Sequence, residues 1–495
     1  MSDQKILLSK STFIRSLQCE KALFLYKYHY DQRDVIPQSR QAIFRRGTNI
    51  GILAQKLFPG GVDASPPKYN EYQTSVETTA KLIKEGVKII YEAAFCYNDV
   101  YAAIDILVNE NGVWKAYEVK SSTSISDTYL MDASLQYHVI KNSGIDLKDI
   151  SIVIINNQYT RSGDVEFHKL FKSVSVIKEA IKNENKIKKG IKRAFDVLNL
   201  QAIPEKNIGE HCSTPYTCDF MGSCWKNVPK PSVFDLTGMH LHKKFKFYNE
   251  GKIKPEQLNP DELSEVQRVQ LRGIIEQTIQ LNKPEIKNFL HKAKYPLLFM
   301  DFETMMPAVP LWDNCRPYQQ IPFQFSIHYK EAAHSELMHF EFLAETGLDP
   351  RQYFLQELIK IASRPGTILV YNATFELTRL RELAHMFPEF EPQVLDIASR
   401  TLDLMEPFRK LHYYVPAMNG SHSIKQVLPA LVPELSYENL AIGNGQLATN
   451  AFEALQTETD IYQIAEIRDQ LLEYCKLDTL AMVKILEKLE EVCKT

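Results

Sequence analysis

The stretch Leu297-Leu298-Phe299-Met300-Asp301-Phe302-Glu303-Thr304 constrains this chain more than any other: four apolar residues run straight into two carboxylates spaced two apart. On a β-strand that spacing places Asp301 and Glu303 on one face. The unbroken apolar run before them marks a central strand covered on both sides, which belongs to an α/β layer architecture. A buried carboxylate pair without a cation repels and titrates upward, so metal ligation is its natural stabiliser.

The same half holds two further acidic signals. Asn372 and Glu376 follow an apolar strand in Val370-Tyr371-Asn372-Ala373-Thr374-Phe375-Glu376, and Tyr474 and Asp478 sit one helical turn apart near the C-terminus. Lys425, with Ser421 and Ser423, stands where a helix start meets a phosphate, and capping by Ser421 is the equal alternative. The patterning predicts strands at 297–301, 321–329 and 367–371, with helices near 350–363, 373–386, 392–405 and 460–490.

In the front half, an amphipathic opening over 11–29 has Ser11 as its expected cap. Apolar runs at 87–91, 100–108 and 113–119 read as strands, the last two closed by a turn ending in Asn111-Gly112. A helix over 128–143, a strand at 151–155 and a Lys-rich helix over 174–198 follow. Prolines at 229 and 231 set a boundary. The expected fold class is therefore α/β, with two mixed-sheet domains at 1–230 and 295–495 and a helical connector at 231–294.

A chain of 495 residues exceeds one ordinary domain, and 44% hydrophobic with 24% charged residues excludes disordered and fibrous classes. Neither a membrane-length apolar run nor a signal-peptide core is visible, which predicts a cytoplasmic protein without a membrane partner. Residues 1–230 carry 31 Lys and Arg against 25 Asp and Glu, and the remainder 27 against 36. A basic front attracts a phosphate backbone, and an acidic back fits metal chemistry.

Two clusters in the front half carry chemistry. Asp105 and Glu118 lie on neighbouring strands, with Lys120 two residues beyond on the same face and Glu92 on the strand before. Such carboxylates share a hard divalent cation, while the lysine orients water or offsets phosphate charge. Cys212, Cys218 and Cys224 fall within thirteen residues. Soft thiolates at this spacing suit a [4Fe–4S] cluster or zinc, and chemistry alone does not choose. Cys96, Cys315, Cys475 and Cys493 stand apart and are read as unligated.

Asp105 followed by Glu118-Val119-Lys120 resembles the core of the PD-(D/E)XK nucleases, and Gln136, with Asp132 one turn before, resembles the Gln-bearing helix of their RecB-like branch. The resemblance implies metal ligation by Glu92, Asp105 and Glu118, catalytic roles for Lys120 and Gln136, and an iron–sulfur cluster on Cys19, Cys212, Cys218 and Cys224. Gly51 stands where many of these nucleases place a metal-binding His. Asp301, Glu303, Glu376 and Asp478, with Tyr474, resemble the DnaQ-like (DEDDy) exonucleases of the ribonuclease H-like fold. That likeness implies Mg²⁺ or Mn²⁺ ions ~3.5–4 Å apart on the carboxylates and water orientation by Tyr474. The family has Asp at the position of Glu376, and Asp396 or Asp403 is the alternative donor.

The whole layout resembles a bacterial domain-of-unknown-function family pairing these two modules. The expected function is a divalent-metal-dependent DNA nuclease, a 3′–5′ exonuclease in its C-terminal domain, acting on single strands or duplex ends in repair or defence against foreign DNA. RNA is the alternative substrate, and a nucleic-acid-binding scaffold with degenerate sites is the alternative class. No Gly-x-x-x-x-Gly-Lys-Ser/Thr loop is visible, so ATP-driven unwinding within this chain is not expected.

Overall fold

The computed structural model describes residues 6–68 and 71–494. The chain is α/β with mixed sheets and divides into two compact units, Met1–Asn227 with Ala308–Tyr318, and Val228–Pro307 with Gln319–Thr495. The helices of 231–294 thus fall in the second unit. Among the described residues, no helix is long and apolar enough to cross a membrane.

In the first unit, the strands Ile89–Tyr97, Val100–Glu110, Val113–Lys120, Leu147–Ile155 and Phe171–Ser175 lie side by side in that order. Asn111 and Gly112 both take positive φ, 54° and 88°, as a tight two-residue hairpin turn requires. Val113–Lys120 then pairs parallel with Leu147–Ile155, and the helix Asp127–Asn142 makes the crossover, burying Leu135, Val139 and Ile140. Glu92 lies within its strand, between Tyr91, which opposes Ile106, and Ala93, which opposes Ile104, and takes φ 51°. A left-handed residue in a strand re-aims its side chain.

Several local expectations change. The opening segment is two helices, Lys10–Gln18 and Glu20–Tyr28, broken at extended Cys19, and the cap is Ser9, because a Ser9–Thr12 capping box outcompetes Ser11. The Lys-rich segment begins as the strand Phe171–Ser175, drawn into the sheet by Leu147–Ile155, before the helices Ile177–Lys182 and Glu184–Leu198. Residues 308–318 join the first unit: Ala308, Val309 and Tyr318 pack near Ile106 and Val153, and Arg161 donates to the carbonyl of Pro310 at 3.0 Å.

The second unit is built on Leu297–Met305, the middle strand of the order Leu337–Leu343, Ile321–Lys330, Leu297–Met305, Thr367–Val370, Thr401–Asp403. The first two pairings are antiparallel and the last two parallel. Strand alternation sends Leu298, Met300 and Phe302 into a core with Phe354, Leu380 and Ile397. Asp301 and Glu303 therefore take the other face, where the long helix Ile461–Lys494 runs. Gln324 donates to the carbonyl of Leu471 at 2.7 Å and ties that helix to the sheet. The expected helix over 392–405 ends at Ser399, because Thr401–Asp403 pairs with the free edge of Thr367–Val370.

Gly366, just before Thr367–Val370, has φ 107°, and a Cβ built there would lie 1.9 Å from the Pro296 carbonyl oxygen. Backbone cannot yield as a flexible side chain does, so Gly366→Ala is expected to destabilise the protein by at least about 2 kcal/mol. Thermal denaturation checks this, and an unchanged midpoint would refute the close approach.

Candidate metal centre

The alternation of the central strand and one helical turn bring the acids of the second unit together. Asp301, Glu303 and Asp478 each offer an oxygen within 4.8 Å of the others, and among the described residues this is the one such group of three or more His, Cys, Asp or Glu. They line a pocket of about 180 Å³ with Tyr371, Lys425 and Tyr474. Burial, reinforced by Asp478, pushes Asp301 well above the usual carboxylate range, and burial with Asp301 and Asp478 does the same to Glu303. Asp478 is raised by burial and partly held back by hydrogen bonding from Tyr437 and by Lys425. Three acids held this close in one pocket fit a hard divalent cation, which supplies the charge they lack.

The surroundings orient these groups. Tyr437 donates to Asp478 Oδ1 at 2.6 Å, and Lys425 Nζ donates to the Tyr474 hydroxyl at 3.1 Å and to the Gly443 carbonyl at 3.0 Å. Burial raises the Tyr474 and Tyr437 hydroxyls, so both are protonated donors. Ser421 Oγ accepts from the Ser423 amide at 3.1 Å, while Ser423 occupies the cap position of the helix Ile424–Leu431. Lys425 alone of that trio lines the pocket. Tyr437, in a loop without periodic pattern, carries no sequence signal.

Glu376 is buried at 2% exposure beside the triad but outside its 4.8 Å set, and its Oε2 has no hydrogen-bond partner. Burial and Asp301 push it up to about 9. The alternative donors are engaged elsewhere. Asp396 is exposed and paired with Arg400 at 2.7 Å, and Asp403 Oδ1 accepts from the amides of Asn372 and Met405.

In the first unit, Glu118 is the hub. Lys10 and Lys120 donate to its Oε1 at 2.5 and 2.8 Å, and Gln136 donates to Oε2 at 2.5 Å. Lys120 also reaches Asp132 at 2.8 Å, and Asp105 Oδ2 accepts from the Val119 amide at 2.5 Å. Burial favours the neutral acid, yet Lys10 and Lys120 hold Glu118 down at about 2. Burial raises Glu92 to about 8, with help from Asp105 and Glu118, and Asp105 to about 7, with help from Glu118. The three acids feel one another without forming a 4.8 Å set. Gly51 has no side chain and so offers the centre no ligand. Lys10 is the functional residue sequence reasoning missed: it stands 108 positions from Glu118, with no local spacing to connect them.

Cys19, Cys212, Cys218 and Cys224 line one small cavity. Burial pushes Cys218 up to about 11 and also raises Cys224, while the other cysteines add to the effect. The four thiols share this cavity, and no three of their sulfurs fall within 4.8 Å of one another. Beside them, burial of Asp219 is outweighed by Arg15, Arg33 and Arg40, which hold it below the usual range and pin the cysteine-bearing loop.

Residues 298–423, which contain Asp301, Glu303 and Glu376, match the family described as "Domain of unknown function (DUF2779)". The chain is 28% identical over 219 residues to "Uncharacterized protein UU173" of Ureaplasma parvum, covering 39% of this chain and 31% of that protein. It is 26% identical over 219 residues to "Uncharacterized protein MG366 homolog" of Mycoplasma pneumoniae, covering 41% and 33%. The chain thus spans about a third of the length of these relatives. The likeness to that family is confined to residues 298–423, and the likeness to these relatives to about two fifths of the chain.

A carboxyl group whose folded pKa lies above its unfolded value stabilises below the unfolded value, and that contribution disappears as pH rises through the folded one. For Glu376 the window runs from about 4 to about 9, and Asp301, Glu303 and Asp478, all raised, lose their contribution in the same direction. Mn²⁺ is therefore expected to raise the melting temperature, more at the alkaline end than at the acid end, and Asp301→Asn with Asp478→Asn should abolish the rise. Differential scanning fluorimetry across pH checks this; an equal Mn²⁺ shift in the double variant would overturn the site.

Proposed function

We propose that the second unit hydrolyses phosphodiester bonds in DNA with divalent ions held by Asp301, Glu303 and Asp478. The observation that supports this best is the triad itself, two half-buried carboxylates and the buried Asp478 gathered in one pocket beside a protonated tyrosine. Bound Mg²⁺ or Mn²⁺ would activate a water and offset charge on the phosphate. Tyr474 points that water toward phosphorus. The water oxygen forms the new P–O bond, the P–O3′ bond breaks, and the proton ends on O3′, releasing a nucleoside 5′-monophosphate from a 3′ end. Glu376, protonated at neutral pH, supports the pocket and is a reserve donor.

For the first unit the reading is a RecB-like module, with Glu92, Asp105, Glu118, Lys120 and Gln136 as its centre and the four cysteines as a cluster that staples residue 19 to residue 224. A second reading, a nucleic-acid-binding scaffold with a degenerate site, draws support from Glu118, whose two oxygens already accept from Lys10, Lys120 and Gln136. Repair or defence against foreign DNA is the setting such activities serve.

Labelled single-stranded DNA, duplex DNA and RNA with Mg²⁺ or Mn²⁺ provide the test. Asp301→Asn with Glu303→Gln should lose roughly 10²-fold or more in 3′-end degradation, and Glu118→Gln should leave that activity intact. Wild-type rates in the double variant would reject the triad, and cleavage of RNA alone would replace the substrate. Anaerobically purified protein should be brown and lose its colour in Cys218→Ser; a colourless protein with stoichiometric zinc would put zinc in that place.

A further inference from the structure

We infer that Lys425 grips the phosphate in the pocket of the second unit. The inference rests on the phosphodiesterase reading above and adds to it the group that recognises the substrate. Among the described residues lining this pocket, Lys425 is the one cation. It faces three carboxylates yet makes no ion pair within 4.0 Å with any of them. Its ammonium is instead fixed by two neutral acceptors, the Gly443 carbonyl at 3.0 Å and the Tyr474 hydroxyl at 3.1 Å, and it lies 5.1 Å from the centroid of the Tyr474 ring.

A lysine that served only to neutralise the acids would close on one of them, as Lys10 and Lys120 close on Glu118. Lys425 is held off. With two N–H directions spent on the anchors, the third is left for a ligand. A divalent ion on Asp301, Glu303 and Asp478 would repel this ammonium across a small pocket, and what stabilises two cations in that arrangement is an anion between them. A phosphate ester with two non-bridging oxygens meets that need, one oxygen toward the carboxylate-bound ion and one toward Lys425. A lysine reads charge and not base identity, so the pocket should accept a terminal nucleotide whatever its base.

The test uses the full chain with Mn²⁺ and thymidine 5′-monophosphate as the probe, followed by calorimetric titration, together with 3′-end degradation of a labelled single strand. Lys425→Met should keep the Mn²⁺-induced rise in melting temperature, weaken monophosphate binding by about tenfold or more, and raise KM. Lys425→Arg should recover most of the binding. Lys425→Gln keeps a donor for the Gly443 carbonyl without the charge, and it should behave like Lys425→Met if charge is the point. Undiminished monophosphate binding in Lys425→Met or Lys425→Gln would overturn the role of Lys425 alone. Loss of the Mn²⁺ response in both variants would assign the lysine to the scaffold of the pocket. A wild-type chain that responds to Mn²⁺ but neither binds the monophosphate nor degrades DNA or RNA would overturn the phosphodiesterase reading, and this inference with it.

Discussion

Burying like charges on a central strand is the constraint around which the second unit is arranged. Asp301 and Glu303 sit half-buried in a pocket where each raises the other, and the long helix Ile461–Lys494 adds a third carboxylate, Asp478. The opposite face of the strand makes this possible. Leu298, Met300 and Phe302 anchor it in the apolar core, which holds Asp301 and Glu303 on the opposite face. The result is an electrostatic debt localised in one pocket, and a divalent cation is the simplest species that settles it.

The two acidic centres solve the same problem differently. In the first unit, lysines approach Glu118 directly and keep it ionised, while Glu92 and Asp105 beside it still titrate upward. In the second, the acids rise together and the single lysine in their pocket is tethered away from them. Neutralisation of Glu118 by lysine favours a binding surface at that carboxylate, whereas a carboxylate trio with no ion pair favours capture of a cation. That contrast places the stronger expectation of turnover in the second unit.

Much of the second centre was legible in local spacing. The i, i+2 pair on a strand put Asp301 and Glu303 on one face, and the i, i+4 pair on a helix did the same for Tyr474 and Asp478, because both periodicities are properties of the backbone alone. The helix at 373–386 and the Asn111-Gly112 turn followed from equally local rules. Less legible were features decided by a competitor elsewhere. Ser9 displaced Ser11 as a cap through Thr12, and the end of the 392–405 helix became a strand because a neighbouring edge was free.

The sequence by itself determined the α/β class, the strands that carry acids, and the residue types able to meet a hard cation or a soft metal group. The tertiary structure alone decided which of them meet. It brought Lys10 to Glu118, placed Tyr437 on Asp478, kept Glu376 just outside the triad and carried Ala308–Tyr318 into the first unit. Those juxtapositions depend on packing between segments far apart in the chain, and hydrophobic packing has no residue period from which a partner at long range can be read.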